Sequence, residues 1–194
     1  MARPAKFTDD QVLDAALAGV ARSGHAVTVT EVAGELGGPV GSIYHRFSSR
    51  DVLLASLWLR SVQRFQAGLF ELAASGPAGT ALVECALHVP RYCRAHPDEA
   101  RALTLFRQTR LLDDCPAELE DQVAHVNDDL LALTRRLTRE RYGRADRRHT
   151  ELVGLATRVA PYGLVRPHLG RAVPKVVDEA VEASATAILA CGDG

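Results

Sequence analysis

Apolar residues in this 194-residue chain return every three or four positions over most of its length, the repeat of helices that bury one face. From residue 50 to about residue 75, Leu54, Trp58, Phe65, Leu69 and Leu72 fall on one side. Residues 80–94 gather Leu82, Ala86, Val89 and Cys93, with Pro90 inside the run to bend it. His96-Pro97 breaks the pattern, and Pro97 is placed to start a helix reaching about Arg110. The most regular stripe is Leu119, Val123, Val126, Leu130, Leu133 and Leu137, which predicts one helix from Pro116 to about Tyr142, closed by Gly143. Two final helices are predicted over 145–165 and 174–191. Their apolar faces are rich in small residues (Ala156 and Gly163 on the first, Ala180, Ser184 and Ala187 on the second), which let helix axes approach. The pair is expected to form half of an intersubunit four-helix bundle. The predicted fold class is all-α, with about nine helices.

The first fifty residues carry sharper signals. Phe7-Thr8-Asp9-Asp10-Gln11-Val12 is a capping box with a hydrophobic staple. Thr8 can accept from the Gln11 backbone, Gln11 can reach back to Thr8, and Phe7 can pack on Val12. Val27-Thr28-Val29-Thr30-Glu31-Val32 repeats the device with Thr28 and Glu31 as the box. A short third helix is expected within Gly38–Phe47, after a Gly-containing turn. Three short helices in this order describe a helix-turn-helix, whose second helix reads base edges in the major groove while flanking groups hold phosphates. Val40, Gly41, Ser42 and His45 are then the exposed reading positions. Ser42 can bond a base edge and Val40 can meet a thymine methyl. Thr30 lies one turn along the preceding helix and can reach a base. Thr28 caps that helix close to the DNA backbone. Arg46 is a candidate phosphate ligand, and Arg3 and Lys6 are candidates for an N-terminal arm on DNA.

Gly24, Thr28, Val29, Glu31, Val32, Ala33, Leu36, Gly37, Gly41, Ser42, Ile43, Tyr44, Phe47 and the run Ser48-Ser49-Arg50-Asp51 stand in the order and spacing of a known motif. This stretch resembles the DNA-binding domain of the TetR family of transcriptional regulators. The chain departs from the pattern at Gly38-Pro39, where the family usually has Val-Ser, and Pro39 suits a first helical turn. The resemblance implies phosphate contacts for Tyr44 and Arg50. It implies a helix-turn-helix domain over 1–49, followed by a ligand-binding and dimerisation domain over 50–194. It also implies a homodimer formed through the last two helices, double-stranded operator DNA as partner, and repression relieved by a small-molecule effector. Pocket candidates are Trp58, Phe65, His88, Tyr92, Phe106, Asn127 and Tyr162. A ligand on Trp58 or Phe65 would act through the helix that begins at Arg50.

Formal charge is −1, so no global field draws the chain to nucleic acid, and DNA binding would rest on a local patch. Of 23 Lys and Arg residues only Lys6 and Lys175 are Lys, a bias that fits codon usage. The cluster Arg135, Arg136, Arg139, Arg141, Arg144, Arg147 and Arg148 suits a solvated helix end, where cations favour the dipole, better than a second nucleic-acid patch. Cys85, Cys93, Cys115 and Cys191 contain no CxxC pair or secreted framework, and the N-terminus has no signal-peptide core. A cytoplasmic protein without membrane span or cofactor is expected. Cys85-x-x-His88 and Cys93-x-x-His96 offer a metal- or thiol-responsive alternative. A helical-bundle enzyme or interaction module without DNA binding is the alternative from another class, but no phosphate loop, nucleophile elbow or HExxH motif accompanies it.

Overall fold

The computed structural model describes residues 7–193, so Arg3 and Lys6 lie outside the described residues. These residues form twelve α-helical segments and no strand. None of their helices is long and apolar enough to cross a membrane. The described residues divide into two compact units, 7–62 with 98–126, and 63–97 with 127–193.

The first unit begins with α1 (Asp9–Ser23), a 3-10 turn (Gly24–Ala26), α2 (Val29–Leu36) and α3 (Val40–Tyr44). Both capping boxes form. Thr8 accepts from the Gln11 N–H at 3.2 Å and Thr28 from the Glu31 N–H at 3.2 Å, while Gln11 and Glu31 accept from the N–H of their cap residue in return. The Thr28 N–H and hydroxyl hold the Glu31 carboxyl below its ordinary range. Gly37 closes α2 at φ 65°, a left-handed conformation that glycine adopts without strain. At Gly38 a Cβ would sit 2.5 Å from the Phe7 ring, so the missing side chain is what admits that aromatic. Pro39 is extended and precedes α3 as its cap, one position earlier than the first-turn site expected for it. Val12, Ala16, Val20, Val32, Ile43 and Leu57 are fully buried among the apolar side chains these helices turn inward.

Helix α4 (Arg50–Ala73) starts where Ser49 Oγ accepts from the Val52 N–H at 3.1 Å. Its residues through Val62 belong to the first unit and the remainder to the second. The first unit also takes in α6 (Pro97–Ala102), α7 (Gln108–Asp113) and α8 (Glu120–His125). The single helix expected over 97–110 is therefore two segments. The Thr104 hydroxyl donates to the Arg101 carbonyl at 2.7 Å, and the Leu105 N–H reaches back only to Ala102, which tightens and ends α6. The helix expected from Pro116 to Tyr142 is also divided, into α8 and α9 (Asp128–Tyr142), with Val126 and Asn127 between them. Gln108 Nε2 donates to the Val123 and Ala124 carbonyls at 2.7 and 3.0 Å, satisfying acceptors that the ending helix leaves open. The apolar stripe that suggested one helix is real; the interruption depends on a glutamine distant in sequence.

The second unit holds α5 (Ala78–Ala95), α9, α10 (Arg147–Gly154), α11 (Ala160–Val165) and α12 (Val176–Ala190) with the end of α4. Gly143 closes α9 at φ 71° as expected. Asp146 caps α10 by accepting from the His149 N–H at 3.0 Å and meets the ring Nδ1 at 2.7 Å, which lowers its pKa below the usual carboxylate value. A π-helical turn, Leu155–Val159, joins α10 to α11 in one continuous helix. On α12, Val177, Val181, Ala185 and Leu189 are buried within this unit, whereas Ala180, Ala183 and Ala187 are exposed. Val177 and Val181 thus cover the chain's own core, while Val176 is exposed.

Candidate DNA interface and ligand cavity

Helices α2 and α3 with the glycine turn between them set out the predicted reading residues. Thr28, Thr30, Gly41, Tyr44 and His45 are exposed, and Val40 and Ser42 are half-buried. Ile43 and Phe47 face inward and anchor α3, leaving the opposite face of this five-residue helix open. Tyr44 retains 49% of its surface, so its phenol is available to a partner rather than packed between helices.

The two arginines are placed differently. Arg46 pairs with Asp9 and donates to the Phe7 carbonyl. Arg50 donates from Nε to the Val27 carbonyl at 2.8 Å and from its guanidinium to the His25 carbonyl, tying the start of α4 to the turn before α2. Both guanidinium groups therefore hold the reading head together in this state.

The predicted pocket residues are divided between the two units. Trp58 is 4% exposed in the core of the first unit. Phe106, in the same unit, stands edge-on to the His25 ring at 5.4 Å. Tyr162 lies on the surface of α11, 46% exposed. In the second unit Phe65, His88 and Tyr92 do converge: the Phe65 ring lies 4.8 Å from His88 and 5.1 Å from Tyr92. His88 Nε2 meets the Phe65 carbonyl at 3.0 Å, and burial pulls the imidazole pKa below its ordinary value. Asn127 Oδ1 accepts from Gln66 Nε2 at 2.9 Å.

The metal alternative finds no centre. Among the described residues no group of three or more His, Cys, Asp or Glu side chains is placed to hold a metal ion. Burial pushes the Cys85 and Cys93 thiols up to about 11, away from the thiolate that metal binding and redox chemistry require. The eight-residue offset between the two pairs turns them to different directions on α5.

The second unit holds a different cavity. It holds about 20 Å³, room for about one water, and Leu69, Leu82, Leu130, Leu133 and Leu137 line it together with Arg158. Arg158 also borders an open cleft of about 640 Å³ that includes Arg135, Arg147 and Glu151. The available signal was one arginine inside the otherwise apolar and small run Leu155–Gly163.

Residues 12–57 match the family model for bacterial regulatory proteins of the tetR family. Among curated proteins, none matches the chain in sequence. A transcriptional regulator from Rhodococcus sp. Rha1 is similar in structure at a TM-score of 0.73, with 20% identity over 95% of this chain and 97% of that one. FadR from Bacillus subtilis, solved with stearoyl-CoA, is similar at 0.61, with 18% identity over 95% and 97% of the two chains. The TetR transcriptional regulator SCO0520 from Streptomyces coelicolor is similar at 0.53, with 19% identity over 95% and 97%. The chain has the all-α fold of these regulators, and residues 12–57 carry the helix-turn-helix module of the tetR family of bacterial regulatory proteins.

Proposed function

We propose that this protein is a sequence-specific, double-stranded-DNA-binding repressor that leaves its operator when a small molecule binds the second unit. The observation that carries the reading is the open face of α3, where Ser42, Tyr44 and His45 stand clear of the core that Ile43 and Phe47 complete. Ser42 and His45 suit base edges, Thr28 and Tyr44 suit phosphates, and Thr30 extends the surface along α2. Homodimerisation would place two such heads on one face of DNA, about 34–36 Å apart or a near multiple. The exposed side chains Tyr162, Leu164 and Val176 of the last helices supply the apolar surface for that contact. An effector would act by binding one state of the protein more tightly than the other. The stearoyl-CoA held by the B. subtilis relative supports an effector with an apolar portion.

Selection of bound duplexes from a random pool tests the reading. A palindromic consensus, with affinity falling steeply as salt rises, is the expected result. Failure to enrich any sequence would overturn it.

A further inference from the structure

Arg158 lies on the π-helical turn Leu155–Val159, at the junction of the leucine-lined cavity and the open cleft. A guanidinium carries five N–H donors and is rarely taken out of water unless a carboxylate accompanies it. Arg158 is half-buried, and its one hydrogen bond among the described residues runs from Nη1 to Thr134 Oγ1 at 3.0 Å. That hydroxyl in turn donates to the Leu130 carbonyl at 2.8 Å, so the contact supplies no negative charge. Burial alone pulls the Arg158 pKa below its ordinary value, with no neighbouring carboxylate to raise it. The contrast with Arg94 on α5 is direct. Arg94 takes a bidentate grip on Asp178 at 2.8 and 3.2 Å, which raises its pKa. Gly154 adds a fitted space, since a Cβ there would lie 2.8 Å from Arg158 Nη2. A π turn in mid-helix is itself a feature found frequently at functional sites.

We infer that Arg158 is the head-group ligand for an amphiphile whose oxyanion, a carboxylate or a phosphate, is bonded directly to a hydrocarbon tail that enters the leucine-lined cavity. The inference rests on the effector reading above and names the chemistry of the effector. The oxyanion occupies the place that Asp178 holds beside Arg94, on the donors of Arg158 that the protein leaves open. The tail passes between Leu130 and Leu133, both half-buried, and spreads the leucine side chains to enlarge the space. Arg135 and Arg147 on the cleft rim add positive potential at the entrance, against Asp146 and Glu151. Asp146 is already engaged by His149 and Arg144. A thioester places a neutral carbonyl next to the tail and would leave Arg158 without its counter-charge.

Equilibrium dialysis without DNA tests the site, using decanoate, decyl phosphate, decanoyl-CoA and the neutral 1-decanol on the full chain. Decanoate or decyl phosphate is expected to bind the wild type. Arg158→Met should weaken that binding roughly 10–100-fold, the range for a hydrogen bond to a charged group, and leave 1-decanol binding unchanged. Gly154→Ala keeps the charge but displaces the guanidinium, and should weaken the same probe with the fold intact by circular dichroism. Equal affinity of wild type and Arg158→Met for decanoate and decyl phosphate would overturn the inference. So would binding of decanoyl-CoA or 1-decanol alone, or of no probe. Operator release is then measured separately. A probe that binds through Arg158 yet leaves DNA bound refutes the effector reading and keeps the site.

Discussion

Arg50 Nε donates to the Val27 carbonyl across 2.8 Å, joining the first residue of α4 to the residue that precedes the cap of α2. With the His25 carbonyl on the same guanidinium, Arg50 serves as a strut of the reading head. Arg50→Ala should lower the stability of the first unit by about 1–2 kcal/mol, the scale of charge-assisted hydrogen bonds with part of the group in solvent. Urea unfolding measures that loss. The slope of log affinity against log salt should stay as in wild type; a fall of about one unit would instead show that Arg50 neutralises a phosphate in the complex.

Ser42→Ala should relax preference at one base position, at a cost of about 1–3 kcal/mol for the preferred base. Tyr44→Phe removes only a hydroxyl from an exposed ring and should weaken all sequences alike. Competition binding against single-base variants of the selected site separates the two. A uniform loss for Ser42→Ala together with a base-specific loss for Tyr44→Phe would exchange their roles.

His88 gives a pH signature. Burial depresses its pKa in the folded state below the 6.5 of an ordinary imidazole, so the unfolded chain binds the proton more readily. The stabilising contribution is fully present above pH 6.5 and declines as pH falls through the folded pKa. Thermal unfolding between pH 8 and 5 should show this decline, and His88→Gln should flatten it. An unchanged slope in His88→Gln would assign the decline to another group.

Ala180→Arg together with Ala187→Arg should yield monomers. Both alanines are exposed on α12, beside the valines that belong to the chain's own core. Charges placed there would be buried without partners in the proposed dimer. Sedimentation should show the monomer with helical content kept, and a dimer persisting at micromolar concentration would move the interface elsewhere.

Local signals were the legible ones. Thr8 with Gln11, Thr28 with Glu31, Gly37 and Gly143 each act within a few residues, so spacing alone located the ends of α1, α2 and α9. The break at 126–127 was not legible, because it uses Gln108, fifteen and sixteen residues from the carbonyls it serves. Trp58 was drawn as a pocket residue because aromatics suit ligands and cores equally; only packing showed it among core side chains. Arg158 went unread for the opposite reason. An arginine on a helix normally reaches water, and nothing in the sequence reveals that α9 turns Thr134 toward it.

The π turn has one more effect. The Ala160 N–H bonds to the Leu155 carbonyl, five residues back, so this turn contains one residue more than an α-helical turn would. Since each residue advances an α-helix by about 100°, that extra residue sets the facing of everything from Ala160 onward. Were 155–159 to close as a regular α-helix with all its residues kept, Tyr162 and Leu164 would swing by roughly a quarter turn toward the directions now taken by Gly163 and Val165, whereas deleting one of its residues would restore regular closure with the present facing. The extra residue in this stretch is thus an indexing element, deciding which side of the chain's penultimate long helix is its exterior.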